Sequence, residues 1–227
     1  RDDVESRGLG DVYKRQVVAV ITSMAQPLGT HIGNALEVKD AIDVLAGRTQ
    51  GDLLEISLLL GSHMLVLAEK AKTLPEARTM LENALSSGAG LRKLAEMIAA
   101  QGGDPRVVED LSLLPQAAVK RVMRAETAGY LSAMDTTALG MAAQRMGAGR
   151  AKKSDMLDYS VGYVLHVRLG DEVTEDTPLA TLYARNEAEA EEAEKAIRKA
   201  LTIAKEKPSV PPLWDAVVTA EGITYNR

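Results

Sequence analysis

The chain has 227 residues, of which 46% are hydrophobic, so it can hold one large domain or two modest ones with a core. It contains no cysteine, which excludes internal disulfides and thiolate metal sites, and with them a disulfide-rich secreted scaffold. The net charge of −5 argues against a nucleic-acid partner, because such partners favour a basic surface. The longest apolar run, 56–68, is shorter than the roughly 20 residues that cross a bilayer. This run predicts a buried helix, and no membrane partner is expected.

Residues 1–16 carry many charges and no usable hydrophobic period. They resemble a translated adapter sequence more than a protein segment, and we interpret them as a non-native leader. An ordinary disordered leader is the alternative. No apolar core of a signal peptide precedes Val17. The predicted fold therefore begins at Val17.

Residues 17–22 form an apolar run that predicts a strand. The segment 26–40 follows, with two glycines in a loop and then the start of a helix. Asn34 is the predicted N-cap of that helix, and Glu37 is expected to reach back to the cap. The helical period ends at Gly47. Strand, glycine loop and capped helix together form half of a β-α unit.

Three further helices are predicted before residue 101. Asp52 is a predicted cap, and the residues after it are apolar nearly all round, which predicts burial on several sides. Thr73 and Glu76 form a predicted capping box, with Pro75 in the first helical turn. The predicted helices span 53–72, 73–86 and 91–100, and a connection into a second domain spans 104–116.

From Val119 the hydrophobic period changes from 3.6 to about 2 residues, which indicates strands. A long charged helix is predicted at 186–207, because its acidic first half and basic second half suit the helix dipole. Its apolar face, which includes Leu201 and Ala204, is expected to dock while its charged face is solvated. The other predicted elements are strands at 120–134 with a turn at Gly129, a helix at 136–143, strands at 162–168 and 178–183, and an edge strand at 213–218.

The histidines do not predict a metal site by themselves. His31, His63 and His166 are far apart in sequence and lack acidic neighbours at ligand spacing. We expect His63 to be a hydrogen-bonded core residue of an apolar helix, and His166 to face one side of a sheet. The glycine-rich run 147–150 ends in an arginine and suits either a phosphate contact or a turn where two backbones approach closely, and the turn is preferred.

Several separated segments occur in the order found in one enzyme family: 26–40, 60–64, 99–104, 133–141, 146–150 and 158–162. They resemble the pyrimidine-nucleoside phosphorylase and thymidine phosphorylase family. The resemblance runs from about Val17 to about Pro208, nearly the whole chain. It implies a pentosyltransferase of pyrimidine salvage, cytoplasmic and homodimeric, whose substrates are phosphate and a pyrimidine nucleoside. The reaction would yield the free base and a pentose 1-phosphate.

Complete members of that family are considerably longer than this chain. Their phosphate-binding loop carries a Lys-His-Ser run followed by glycines, and no match to it or to the base-binding Arg and Lys is found here. The resemblance therefore implies a C-terminal fragment with no catalytic or substrate-binding residue of its own. The fragment is expected to be inactive alone, and no organic cofactor is implied.

The family resemblance also implies a monovalent cation, potassium, beside the loop at 28–40. Carried over position by position, its ligands would be the backbone carbonyls of Leu28 and His31 and the carboxylate of Asp40. Relatives often have Glu at the last position, and Asp is one methylene shorter. Hard cations take oxygen ligands, and a bent loop can point successive carbonyls inward. The alternative is that Asp40 is simply an exposed acid on a helix.

The predicted fold is α/β in the broad sense (α+β): part of the large α/β domain of a nucleoside phosphorylase, mostly helical, at 17–118, and a strand-rich C-terminal domain at 119–208. Residues 209–227 are expected to be an extended tail. The strand-rich part resembles the half-barrel of lipoyl domains but lacks a Lys at the hairpin position that those domains modify. The alternatives to a broad pyrimidine-nucleoside phosphorylase are a strict thymidine phosphorylase and, in a different class, a non-catalytic lipoyl-like interaction module.

Overall fold

A computed structural model describes residues 16–226, and the predicted leader lies outside this range except for Gln16. The helices are α1 Asn34–Leu45, α2 Asp52–Leu67, α3 Leu74–Ser86, α4 Ala89–Ala100, α5 Thr136–Ala143 and α6 Glu187–Ala200. The strands are β1 Ala19–Thr22, β2 His31–Ile32, β3 Val119–Arg124, β4 Gly129–Met134, β5 Gly162–Leu165, β6 Glu172–Val173, β7 Pro178–Ala184, β8 Leu201–Ala204, β9 Trp214–Thr219 and β10 Gly222–Tyr225. Mixed helices and antiparallel sheets confirm the predicted α+β class.

The described residues form two compact units that are composed differently from the predicted domains. The first unit comprises the described residues up to Ser23 together with 50–87 and 211–226, and the second comprises 24–49 and 88–210. Long-range strand pairing produces this division, because β1 pairs with β9 and β2 pairs with β5. The predicted segment 17–118 is thus shared between both units, whereas 119–208 lies within the second.

The first unit contains a three-stranded antiparallel sheet and a helical hairpin. The sheet order is β1-β9-β10, so β9 is the central strand and the predicted edge position of 213–218 is wrong. The predicted extended tail contributes both strands of this β9–β10 hairpin. Helix α2 packs on α3 and buries Leu54, Ile56 and Leu58, but Leu60 is 43% exposed and Met64 is 68% exposed. Burial of α2 on several sides is therefore not observed.

The second unit has a four-stranded sheet, β2-β5-β7-β3, and a three-stranded sheet, β6-β4-β8. Helices α5 and α6 complete a continuous core that includes Met123, Leu131, Tyr163 and Leu182. The prediction of a helix at 136–143 is confirmed at both ends. The long helix predicted to reach residue 207 instead ends at Ala200, because the next residues form β8 and pair with β4.

Helix starts agree only partly with the predicted caps. Thr73 caps α3 as predicted, with its Oγ1 accepting from the Glu76 amide at 3.3 Å and the Glu76 carboxylate accepting from the Lys72 amide at 2.8 Å. Asp52 is not a cap, since α2 is capped by Gly51 without a side-chain hydrogen bond. Within residues 16–226, no helix combines the length and the apolar character that a membrane span requires.

Candidate functional site

The segment 26–31, called here the carbonyl loop, leads into α1 within the second unit. Gly33, rather than Asn34, is the N-cap residue of α1, so that predicted cap is wrong. The Asn34 side-chain amide instead donates to the Ala148 carbonyl at 2.9 Å, and the Ala35 amide donates to the Tyr159 carbonyl at 3.0 Å. Glu37 does reach back, but to the Gly33 amide at 3.2 Å. These contacts fix the start of α1 against the segment 148–159.

Two glycines cross where α1 begins. A Cβ on Gly33 would lie 2.4 Å from the Val161 carbonyl oxygen, and a Cβ on Gly162 would lie 2.1 Å from the Ile32 carbonyl oxygen. Their φ values of +133° and +148° are also strained for any residue with a side chain. The two backbones therefore approach as closely as they do because both positions are glycine.

The carbonyl loop is fastened to the last residue of β5 and to the segment that follows it. The Leu165 amide donates to the Thr30 carbonyl at 2.8 Å, and the Leu169 amide donates to the Gln26 side-chain oxygen at 2.9 Å. Between these two contacts, Arg168 Nη1 donates to the Pro27 carbonyl at 2.7 Å and lies 3.4 Å from the Gly29 carbonyl oxygen. Its Nη2 lies 3.4 Å from the Leu28 carbonyl oxygen. One guanidinium thus faces three successive backbone carbonyls.

Asp40 is buried, with only 4% of its surface exposed, so the alternative of an exposed helix acid is wrong. Its Oδ1 lies 3.4 Å from His31 Nδ1. The His31 ring also contacts Thr30 Oγ1 at 3.0 Å and Lys39 Nζ at 3.4 Å. Burial lowers the pKa of His31, and the neighbouring Asp40 carboxylate opposes that shift. The imidazole is therefore biased toward its neutral form while it remains beside a carboxylate.

The predicted ligand positions Leu28, His31 and Asp40 lie on the loop, on β2 and on α1 of the same unit. In the antiparallel β2–β5 ladder, hydrogen-bonded pairs alternate with pairs that share no hydrogen bond. The Leu165 amide donates to the Thr30 carbonyl, so the next pair, His31 with Val164, is one without a hydrogen bond between its backbones. The His31 carbonyl consequently points away from β5, at the open edge of the sheet. The Leu28 carbonyl, by contrast, faces Arg168. Whether these oxygens bind an ion stays a prediction.

Sequence reasoning missed Arg168, because its shortest contact with the loop, to the Pro27 carbonyl, joins residues 141 positions apart in the chain. The only signal was its place at the end of the predicted strand 162–168. The glycine-rich run 147–150 begins in a short π-helical segment, Gln144–Ala148, in which Gly147 has φ +108°, and the Asp158 amide donates to the Gly147 carbonyl at 3.0 Å. A Cβ on Gly147 would lie 3.6 Å from its nearest neighbour, a side-chain atom of Asp158, so the predicted close approach of two backbones is not observed at Gly147.

The other histidines lie outside the carbonyl loop. His63 Nε2 is buried without a hydrogen-bond partner, so the prediction of a hydrogen-bonded core histidine is wrong at that atom. His166 Nε2 contacts Thr181 Oγ1 at 2.7 Å on one side of the sheet. Among residues 16–226, no three His, Asp or Glu side chains are grouped closely enough to hold a metal ion. A carbonyl-rich cation site would not depend on such a group.

Comparison with known proteins gives consistent matches. Residues 130–204 match the family model described as pyrimidine nucleoside phosphorylase C-terminal domain. The chain is 49% identical to the pyrimidine-nucleoside phosphorylase of Bacillus subtilis over 79% of its own length and 41% of that protein. It is 41% identical to the Staphylococcus aureus enzyme of the same name over 93% of its own length and 48% of that protein. The chain thus spans less than half the length of the relatives it matches.

These matches place the chain among the nucleoside phosphorylases. Within that class it belongs to the pyrimidine-nucleoside phosphorylase family, as the sequence resemblance predicted. The matched domain begins within β4, contains α5, β5, β6, β7 and α6, and ends at the last residue of β8. The carbonyl loop lies before this domain in the chain and is fastened to it through Arg168.

Proposed function

We propose that this chain is the C-terminal part of a pyrimidine-nucleoside phosphorylase that converts uridine, thymidine or deoxyuridine and phosphate to the base and a pentose 1-phosphate. The observation that carries the proposal is the 49% identity to an enzyme of that name across 79% of the chain. The protein would act as a cytoplasmic homodimer in nucleoside salvage. The chain alone would not turn over, since no phosphate-loop or base-binding motif is found in its sequence.

In the proposed reaction a phosphate oxygen forms a bond to the anomeric carbon as the bond from that carbon to the base nitrogen breaks. The base leaves with the bonding electron pair and takes up a proton, while the sugar passes through an oxocarbenium-like transition state. Catalysis of this kind depends on holding phosphate in position and stabilising the charge that develops on the base. The contribution of this chain would be indirect, through a loop that positions bound ions.

A potassium ion would be held by the Leu28 and His31 carbonyls and the Asp40 carboxylate. These groups form a hard oxygen set, which suits such an ion. The orientation of the His31 carbonyl away from β5 and the burial of Asp40 support the assignment, because a bound cation offsets the cost of burying a carboxylate. The bound ion would supply positive charge near the phosphate.

The activity is tested by joining residues 17–227 to the part of the Bacillus subtilis enzyme that precedes the matched region. We expect this completed enzyme to cleave uridine, thymidine and deoxyuridine in a phosphate-dependent reaction followed by ultraviolet absorbance. The separate chain, purified from a host without its own phosphorylases, should give only background. Activity on deoxynucleosides alone would favour a strict thymidine phosphorylase. An inactive but folded completed enzyme would favour the non-catalytic interaction module.

The ion assignment is tested by Asp40→Asn in the completed enzyme, with Asp43→Asn as the matched control on the same helix. Asp43 is bonded by Lys39 at 2.9 Å and by Arg48 at 2.7 Å, which explains why its pKa is lowered without invoking an ion. We expect Asp40→Asn to raise the half-saturating potassium concentration and the KM for phosphate, and Asp40→Glu to retain both. An unchanged potassium titration in Asp40→Asn would remove Asp40 from the site.

A further inference from the structure

We infer that Arg168 is a positioning residue that sets the conformation of the carbonyl loop, and through it the placement of the Leu28 carbonyl. The inference rests on the proposed function only for its consequence at the ion. Its structural basis is the guanidinium that faces the carbonyls of Pro27, Leu28 and Gly29 at 2.7, 3.4 and 3.4 Å. No family role is assigned to this side chain by the resemblance or by the matches described above.

The geometry suits an arginine in particular. Carbonyl oxygens of successive peptides repel one another when they converge, and a cation at their focus removes that repulsion. A guanidinium presents several donors in a rigid planar fork, so it can face three oxygens at once, whereas a lysine ammonium is a single point on a flexible stem. Arg168 therefore acts as a built-in cation that holds the peptide planes of 27–29 in one arrangement.

Neighbouring contacts hold the ends of the loop, whereas Arg168 contacts its middle. The ends of the carbonyl loop are held by neutral hydrogen bonds, from the Leu169 amide to Gln26 and from the Leu165 amide to Thr30. Charge-assisted hydrogen bonds are stronger than neutral ones, so the Arg168 contact dominates the middle of the loop. The backbone of Arg168 is itself fixed, since its amide donates to the Asp171 carboxylate at 2.8 Å. The guanidinium is thus presented from a rigid turn.

The first test measures amide hydrogen exchange in the 227-residue chain for wild type, Arg168→Gln and Arg168→Lys. The reporters are the amides of Leu165 and Leu169, which donate to the loop. We expect these amides to exchange roughly tenfold faster in Arg168→Gln, the order expected when a charge-assisted hydrogen bond is lost. Arg168→Lys should lie between wild type and Arg168→Gln, because it keeps the charge but loses the fork.

The matched control is Arg124→Gln. Arg124 is also in the second unit, and its Nη1 donates to the Asp176 backbone carbonyl at 2.7 Å, the same kind of contact away from the loop. This control should leave the Leu165 and Leu169 amides unchanged. Amides of β7 report on whether each variant remains folded. If Arg168→Gln unfolds globally, the exchange rates of the Leu165 and Leu169 amides in the milder variant Arg168→Lys test the inference. Unchanged exchange at the two reporter amides in the folded variant would overturn the inference.

The second test uses the completed enzyme. We expect Arg168→Gln to raise the half-saturating potassium concentration roughly tenfold, with kcat at saturating potassium within about threefold of wild type, since positioning of a ligand is lost and no reacting group is removed. Tighter potassium binding in Arg168→Gln would overturn the inference, because it would mean that the guanidinium charge mainly repels the ion. Unchanged potassium dependence would overturn it as well. An inactive wild-type completed enzyme would contradict the proposed function instead, and the exchange experiment would then decide the role of Arg168 in the loop.

Discussion

The two units of this chain differ most in how completely they bury large apolar side chains. The second unit buries large side chains completely, with Tyr163, Leu131 and Leu182 each at 0% exposure. In the first unit, Leu60 and Met64 on α2 remain 43% and 68% exposed. Apolar surface of this kind marks an interaction face or an aggregation risk. The comparison indicates that stability is concentrated in the second unit, which also carries the carbonyl loop.

The architecture explains the difference. The second unit has two sheets and four helices, of which α5 and α6 pack with both sheets around one large core, so its strands can bury one face each. The first unit has a three-stranded sheet and a two-helix hairpin with few fully buried positions. Small units bury a smaller share of their surface and are correspondingly less stable. The loop that carries the candidate ligands therefore belongs to the better supported half of the chain.

Substitution of Gly162, one of the two glycines whose backbones cross at the start of α1, should have the largest effect on stability. Gly162→Ala places a Cβ 2.1 Å from the Ile32 carbonyl oxygen at φ +148°, and backbone cannot move aside cheaply. We expect a loss of about 4 kcal/mol in the free energy of unfolding of the second unit, from strain and overpacking together. Its matched control in the first unit is Gly222→Ala, with φ +141° but nothing within 4 Å of the added Cβ, which should cost only about 1 to 2 kcal/mol. Denaturant unfolding measures both, and equal losses would show that φ alone decides.

The next largest difference between the units should appear when a leucine of each is truncated to alanine. Leu182→Ala removes a completely buried side chain of the second unit and should destabilise it by about 3 kcal/mol. Leu60→Ala, at a site 43% exposed in the first unit, should cost less than about 1 kcal/mol and reduce self-association. Thermal unfolding and analytical ultracentrifugation measure the two effects. A large loss of stability in Leu60→Ala would mean that the α2 face is packed in solution.

The sequence predicted elements whose local signals agreed with their tertiary surroundings. Helix α5 was correct at both ends, and its start is capped by Asp135, whose carboxylate accepts from the Ala138 amide at 2.9 Å. The helix predicted through residue 207 failed because Leu201 and Ile203 also alternate as a strand does, and pairing with β4 decides between the two. Long-range pairing of this kind leaves no local signal.

The candidate site shows the same limit. The motif 26–40 identified the loop and the three predicted ligand positions, which stay a prediction. The burial of Asp40 and the guanidinium of Arg168 could not be read from sequence, because both depend on contacts across the sheet. The cap at Gly33 was missed for a related reason: Asn34 is used by the distant Ala148 carbonyl, which removes it from local capping.

Acid should lower the free energy of unfolding of both units, because each contains a histidine whose pKa is lowered by burial. In the second unit this histidine is His31. Burial lowers the pKa of His31, opposed by Asp40 and Asp43 and reinforced by Lys39, so the folded state disfavours the proton that the unfolded chain binds below about pH 6.5. The contribution of His31 to the free energy of unfolding is therefore fully present above that pH and is lost as the pH falls below it. His31→Gln should lose less stability than wild type between pH 7.5 and 5.5 when denaturant midpoints are compared.

The control for this pH dependence is His63→Gln in the first unit. The pKa of His63 is also lowered by burial, so the sign is the same, but only the first unit should respond. Amide exchange at each pH assigns the change to one unit or the other. A steeper loss of stability in His31→Gln would mean that the His31–Asp40 contact strengthens on protonation by more than burial opposes it.

The smallest expected effects come from one cap in each unit. Thr73 Oγ1 accepts from the Glu76 amide at 3.3 Å at the start of α3, and Asn186 Oδ1 accepts from the Glu189 amide at 2.9 Å at the start of α6. Removing such a cap typically costs about 1 kcal/mol, so Thr73→Ala and Asn186→Ala should destabilise by similar amounts. Amide exchange should nevertheless assign the first loss to the first unit alone and the second loss to the second unit alone, because the caps share no partners. If Thr73→Ala accelerated exchange in β5 and β7 to the same extent as in α3, the two units would unfold together. The difference in burial of large apolar side chains between them would then not govern stability.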